Sequence, residues 1–413
     1  MRAAVQPVPD HVPQELVSSF NLFTGPGMEP APMGDPHAAI ETLLAGPPVF
    51  FAPGNTRNGE GTWVVVRAED QRRVLQDGET FSSNRNIFAS ALGESWPMIP
   101  LEIDPPEHSK WRSLLNPLLS PRRVIGLEPI VRERAISLIE AMKSRGTDAD
   151  VMKDFCLPFA VSIFLQFLGI GSERLEEFVG WATDLLHGTP AQRTEAARTV
   201  VSFLDELRDL RRQEPTDDFM SFVTQARIEG ESLSDMEVRG MSVLLFIAGL
   251  DTVAAALGFD FYYLAQHADQ QELLRTDPKR IQLAAEEMLR AFPSVTPVRR
   301  ATRDVELQGI TIRKGDLVAC PSMTANRDPA EFPDAGKIVL NREDNRHVAF
   351  AYGPHRCLGS HLARREIVIG LEEFLARIPT FRIKPGTAPI THGGFVFGVD
   401  NLQLDWSEQE KAQ

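Results

Sequence analysis

Three groups of residues in this 413-residue chain have types and spacings suited to chemistry. The first is Phe350-Ala351-Tyr352-Gly353-Pro354-His355-Arg356-Cys357-Leu358-Gly359. It sets a cysteine between a glycine-rich loop and an apolar period. Ala363, Ile367, Leu371, Phe374 and Ile378 recur every three or four residues, which predicts a helix running from Cys357 onward. The first turn of a helix has unpaired N–H groups and the positive end of the dipole. A sulfur there has its metal-binding thiolate form favoured. Gly353 and Gly359 permit tight turns and close approach to a flat ligand, and Phe350 supplies an aromatic plane. Taken alone, Cys357 is equally readable as a small buried hydrophobe.

The second group is Ala248-Gly249-Leu250-Asp251-Thr252, inside an apolar segment over 241–265. An acid beside a hydroxyl in a buried helix is costly without partners or a role. Thr252 can bond back to the carbonyl of Ala248 and bend the helix, and a bend at Gly249 would open a groove. The third group is Asp104-Pro105-Pro106-Glu107-His108-Ser109-Lys110-Trp111-Arg112. Here Asp104 reads as an N-cap, Pro105 as the first helical residue and Glu107 as part of a capping box. His108 and Arg112 then share one face, one turn apart. Most such basic faces are simply solvated. Glu287-Met288-Leu289-Arg290, a Glu-x-x-Arg on a helix, is a weak signal by itself.

The elements that must hold these groups are mostly helical. Residues 48–67 read as a small β-unit and 68–80 as a helix with Arg72 and Arg73. Residues 84–103 show no period and read as a loop. Residues 125–240 are helical by pattern, with breaks at Gly146, Gly171, Gly188 and Pro215. Short strands follow over 305–312. Seven prolines in the first 36 residues predict an extended surface arm over 1–38. With no internal repeat, 39–413 reads as one domain. A net charge of −14 argues against nucleic-acid or acidic-membrane partners. Three scattered cysteines, Cys156, Cys320 and Cys357, form no disulfide framework or zinc spacing. No cationic stretch precedes an apolar run at the N-terminus, so no signal peptide is expected. A membrane span is not expected either, because Asp251 and Thr252 interrupt the most apolar run. A soluble, cytoplasmic protein fits best.

Phe-x-x-Gly-x-His-x-Cys-x-Gly resembles the haem-binding loop of the cytochrome P450 family, with Ala351 where that family usually has glycine. Ala-Gly-x-Asp-Thr resembles its oxygen-binding groove, and the order of motifs matches from about residue 40 onward. Within the family the chain is most similar to the bacterial camphor 5-monooxygenase group. The resemblance implies a mainly α fold with small β-sheets (α+β), a triangular helical prism enclosing haem b. It implies Cys357 as the ligand to the haem iron, with Gly249, Phe350, His355 and Gly359 against the haem. His108, Arg112 and Arg299 would hold its propionates. Asp251 and Thr252 would be catalytic, relaying protons to dioxygen. Glu287, Arg290 and Arg342 would form a buried structural network. An axial thiolate favours O–O cleavage, so the implied reaction is hydroxylation.

The same resemblance implies a substrate pocket lined by Ile87, Phe88, Trp96, Met98, Leu101, Leu244, Ile247, Ala248, Val295, Phe395 and Val396. Trp96 stands where the camphor group has a ketone-binding tyrosine. That points to a compact apolar terpenoid or norisoprenoid, ionone-like ahead of camphor-like. The chain shows no flavin or nicotinamide fingerprint. Electrons would come from NAD(P)H through a ferredoxin reductase and a 2Fe-2S ferredoxin. The implied docking cations are Arg72, Arg73, Lys110, Arg112, Arg364 and Arg365, thinned by Glu79, Ser109 and Asp344. A bacterial monomer is expected. Competing readings are a P450 acting on another hydrophobic class, a non-catalytic haem-binding protein, and a cysteine hydrolase using Cys357 with His355 or His361. The last lacks any oxyanion-hole motif.

Overall fold

The computed structural model describes residues 5–22, 40–56, 58–85, 87–394 and 396–407. Of the expected arm, residues 5–22 are tied to the first sheet. Gln6 N–H donates to Gly59 O and Ser18 N–H to Phe51 O, both at 2.8 Å. Val12, Phe20 and Leu22 are buried beneath them. The rest of the arm lies outside the described residues.

After the short α1 (Glu41–Leu44), β1 (Val49–Ala52) and β2 (Thr62–Val65) pair antiparallel with Phe51 opposite Trp63. α2 (Ala68–Gln76) stops before residue 80. Its end is a turn in which Asp77 Oδ1 accepts the Thr80 N–H at 3.0 Å, a local bond that competes with helix. β3 (Phe81–Ser82) follows. The stretch read as a loop over 84–103 contains α3 (Ile87–Ala91), too short for a 3.6-residue period to show.

α4 (Glu107–Leu115) begins later than the sequence predicts, and its N-cap is Pro106 without a side-chain bond. The Asp104 carboxylate is already taken by the Ser82 hydroxyl and by the Ser83 N–H at 2.7 Å. It therefore ties α4 to β3 instead of capping the helix. Beyond it come α5 (Pro121–Lys143), β4 (Asp148–Asp150), a π-helical turn at Met152–Cys156 and α6 (Leu157–Phe167). Next are α7 (Leu175–His187), α8 (Pro190–Gln213) and α9 (Phe219–Gln225). The four expected breaks fall between these helices. The hairpin β5 (Arg227–Ile228) and β6 (Glu231–Ser232) leads to α10 (Asp235–Leu264). Ser234 caps α10 through a box with Glu237.

The remainder is α11 (Ala268–Thr276), α12 (Ile281–Ala291), β7 (Val298–Ala301), β8 (Val305–Leu307), β9 (Ile310–Ile312), β10 (Leu317–Ala319) and α13 (Ser322–Ala325). α14 (Ser360–Arg377), β11 (Arg382–Ile383), β12 (Ile390–His392), β13 (Gly398–Asn401) and β14 (Gln403–Asp405) close the chain. The largest sheet runs β1-β2-β10-β7-β3, with β10 parallel to β2 and antiparallel to β7. The architecture is mainly α with small sheets.

α10 is the axis of the packing. Its first half, Val238 to Leu250, belongs to one large apolar cluster with α6, α7, α8 and α9. Its second half, from Val253, belongs to another with α5, α12 and α14. The helix is long and apolar enough to cross a membrane, but 61% of that window is buried inside the protein. The seam between the two clusters falls at Asp251 and Thr252.

Candidate active site

The cysteine loop is shaped by two left-handed residues. Gly353 has φ +72°, and a Cβ there would sit 2.5 Å from the carbonyl oxygen of Leu75 at the end of α2. No side chain fits. Ala351 has φ +57°, a conformation that costs an L-residue roughly 1 kcal/mol. Arg356 N–H donates to Gly353 O at 3.0 Å and Cys357 N–H to Phe350 O at 2.9 Å, which closes the turn. α14 starts at Ser360 with Gly359 as its N-cap, so Cys357 precedes the helix and does not begin it. Cys357 is exposed on one side, while protein packs closely around the rest of it. Burial pushes its thiol up. The Gly359 N–H and the charges of Arg112, Arg356 and Arg364 pull it down, but by less. The favoured thiolate expected from the helix dipole is therefore not intrinsic to the loop. A metal cation at the sulfur reverses that balance.

Phe350 is clamped from behind. The Arg364 guanidinium lies 4.4 Å over its ring and pairs with Glu286, which also meets His347 Nε2 at 3.0 Å. Burial would raise the Glu286 carboxyl, but the bonds from His347 and Arg364 outweigh it and hold it near 2.

His108, Arg112, Arg299 and His355 converge, although Arg299 comes from β7 and His355 from the cysteine loop. The two imidazole rings are 4.1 Å apart. Both His108 Nε2 and His355 Nε2 are buried with no hydrogen-bond partner among the described residues. Arg112 Nη1 donates to the carbonyl of Arg356 at 2.7 Å, and Arg299 Nη1 to that of Val298 at 3.1 Å. Burial first, and then the neighbouring guanidiniums, push His108 down to about 4 and His355 to about 3. Orphaned buried ring nitrogens among cations are costly. A ligand bearing two carboxylates satisfies them, and this donor set fits the propionates of haem.

Along the middle of α10, Leu244, Ile247, Ala248, Asp251 and Thr252 are accessible although the helix around them is buried. They repeat at three and four residues and so form one open stripe. A Cβ added at Gly249 would touch nothing within 4 Å. Thr252 Oγ1 donates to Ala248 O at 2.9 Å, as its position predicts.

Of the expected pocket residues, Val295 and Val396 are brought together by a β-bridge. Phe88 and Trp96 touch, with ring centroids 5.8 Å apart. Phe88, Leu244, Ile247 and Leu358 pack on the cluster that contains Trp96 and Met98. Leu101 is 40% exposed. Ile87 opens α3, and Phe395 lies outside the described residues. The Trp96 N–H is committed to Glu94.

Glu287 and Arg290 are fully buried and joined by two 2.8 Å bonds. Glu287 also accepts from Val339 N–H, Arg342 Nε and Asn345 Nδ2. Arg290 donates to the carbonyls of Asn326, Ala335 and Lys337. Sequence reasoning missed Glu286, Glu94 and the buried Glu366. Each is an ordinary acid on a helix or loop, and only tertiary contact distinguishes it.

Residues 182–400 match the family model described as Cytochrome P450. The chain is 60% identical over 407 residues to the probable cytochrome P450 127A1 of Sinorhizobium fredii, covering 98% of each. It is 34% identical to the mycinamicin IV hydroxylase/epoxidase of Micromonospora griseorubida, over 85% of this chain and 87% of that protein. The crystal structure of cytochrome P450 CYP101C1 superposes with a TM-score of 0.87 at 32% identity, covering 97% of this chain and 100% of that one. That of CYP101J2 gives 0.86 at 29%, covering 98% and 100%. The chain belongs to the cytochrome P450 family. It is a monooxygenase of that family, whose members use haem b, dioxygen and electrons from redox partners.

Burial alone lifts the Glu366 carboxyl from 4.5 to about 8. Between those values the unfolded chain loses this proton and the folded chain keeps it, so stability falls as pH rises through that window. Glu366→Gln should flatten this fall in urea titrations and gain on the order of 4 kcal/mol above pH ~8.

Proposed function

We propose that this chain hydroxylates a compact, apolar terpenoid or norisoprenoid, ionone-like ahead of camphor-like, drawing electrons from a ferredoxin. The observation that carries the haem reading is the buried cationic nest with two unpartnered imidazole nitrogens, set beside an accessible cysteine. Cys357 would supply the axial thiolate. Arg112, Arg299, His108 and His355 would hold the propionates, and Gly249 and Gly359 would leave room for the ring. Phe350, fixed by Arg364, would lie against it. When bound, haem supplies the oxygen activation that no side chain can perform.

The protein's share is proton control and exclusion of water. Thr252 spends its hydroxyl hydrogen on Ala248 O, so the lone pairs of Oγ1 remain to receive a proton donor on the open stripe. Asp251, one residue earlier at the seam of the two clusters, is suited to pass protons to that oxygen. The substrate reading is supported by how little polarity the pocket residues offer. With the Trp96 N–H committed to Glu94, recognition falls to shape and apolar burial, roughly 25 cal/mol per Å². The likeness to the two CYP101 structures supports the same class.

Four of the six docking cations expected for a ferredoxin are already paired with acids, while Arg73 and Arg112 bond, among the described residues, only to backbone carbonyls. Arg72 meets Glu331 at 2.6 Å, Lys110 meets Glu229 at 3.1 Å, Arg365 meets Glu128 at 2.8 Å, and Arg364 is held by Glu286. A ferredoxin would dock on a face whose unpaired positive charge is reduced to Arg73 and Arg112, with hydrogen bonding and contact area carrying more of the binding.

Reduced, carbon monoxide-treated protein should show the red-shifted band of a thiolate-ligated haem. Cys357→His should abolish it, while Cys156→Ser and Cys320→Ser keep it; a normal band from the Cys357 variant refutes the assignment. Thr252→Ala should still consume NADH but release hydrogen peroxide in place of product, and unchanged product per NADH would remove Thr252 from its role. In spin-state titrations ionones should bind at least as tightly as camphor, and a response to fatty acids alone would overturn the substrate class.

A further inference from the structure

The loop that carries Trp96 is fastened to two helices by a chain of charges that haem binding does not require. Trp96 Nε1–H donates to Glu94 Oε2. The same oxygen accepts from Arg239 Nη1, near the start of α10, at 3.2 Å. Arg239 also grips both carboxylate oxygens of Asp205 on α8, at 3.1 and 2.5 Å. Asp205 in turn accepts from Arg208 Nη1 at 2.6 Å.

A second contact holds the same place. The neighbour of Arg239 is Gly240, where an added Cβ would lie 2.2 Å from the carbonyl oxygen of Pro97. The loop backbone therefore sits directly on α10. Just behind it the Trp96 ring is 2% exposed and packs against Phe88.

We infer that Glu94 is a specificity-determining positioning residue, which locks Trp96 and its loop onto α8 and α10 and so fixes the width of the apolar pocket. The inference rests on the haem reading above, because the haem is the gauge of what enters. Glu94 itself touches no substrate. It holds the indole from one side and the Arg239–Asp205 pair from the other, so the Trp96 loop, α10 and α8 are linked as one unit. Each link is only partly shielded, with side-chain exposures of 42% for Glu94, 22% for Arg239 and 21% for Asp205. Such pairs are individually weak and weaken further with salt. The latch therefore opens readily, but a bulky ligand waits for it and a small one does not.

The test uses haem-loaded protein and two probes that bind iron through nitrogen, imidazole and the larger 4-phenylimidazole. Their association is followed by stopped-flow at the Soret band. Glu94→Ala should speed 4-phenylimidazole binding about tenfold, the effect of losing one or two such links, and leave imidazole within about twofold. Arg239→Met should do the same. Gly240→Ala, which displaces the loop sterically, should mimic both without removing a charge. Raising salt from about 0.05 to about 0.5 M should accelerate 4-phenylimidazole in the parent protein and not in Glu94→Ala. Equal effects on both probes, or no effect on either, overturn the latch while leaving the haem reading intact. A parent protein whose spectrum responds to neither probe overturns the haem reading and the inference with it.

Discussion

The carboxylate of Glu287 is held away from water by five hydrogen bonds, and the path to the cysteine depends on it. It binds Arg290 within α12 and reaches Val339, Arg342 and Asn345 in the irregular segment that follows α13. Arg290 spreads its remaining donors over three carbonyls of that segment. A segment without regular secondary structure has few backbone bonds of its own, so a buried ion pair supplies its order. Removing one partner of such a pair leaves a charge stranded, at a cost of about 3–5 kcal/mol. One residue earlier, Glu286 extends the same support to Arg364 and hence to Phe350. α12 thus holds the cysteine loop through two successive acids pointing to different partners.

The electrostatics of the site are asymmetric. On one side Glu286 is satisfied by bonds from His347 and the Arg364 guanidinium and held well below its usual range. On the other, two imidazoles and two guanidiniums crowd together, and no carboxylate among the described residues pairs with them. The first arrangement is complete in the polypeptide. The second is complete only with an anionic guest, which explains how a nest that opposes its own charge persists in a folded protein.

The chain's local grammar was legible. Gly146, Gly171, Gly188 and Pro215 mark helix ends because their backbones cannot continue a helix cheaply, and the cysteine loop announces itself through glycines at turns. What depended on distant partners was not legible. Asp104 reads as a cap until Ser82 and Ser83 are seen to claim its carboxylate. Arg72, Lys110, Arg364 and Arg365 read as free cations until acids from other elements neutralise them. Trp96 reads only as a residue at the place of a ketone-binding tyrosine, and nothing local shows that Glu94, two residues away, claims its N–H. The sequence shows which groups can bond, and the tertiary fold decides which of several eligible partners arrives first. α3 is hidden in the sequence for a simpler reason, since five residues carry no period.

The division of α10 between two apolar clusters bears on cooperativity. A protein with two cores ordinarily opens in parts, each with its own local unfolding free energy. Here one continuous hydrogen-bonded rod runs through both, so frayed packing in either half exposes backbone that the other half needs. The open stripe lies across the junction, so a planar guest seated there would touch both halves at once. Its binding free energy acts as cohesion between them. Loading the cofactor should thus add to the coupling that the shared helix already provides.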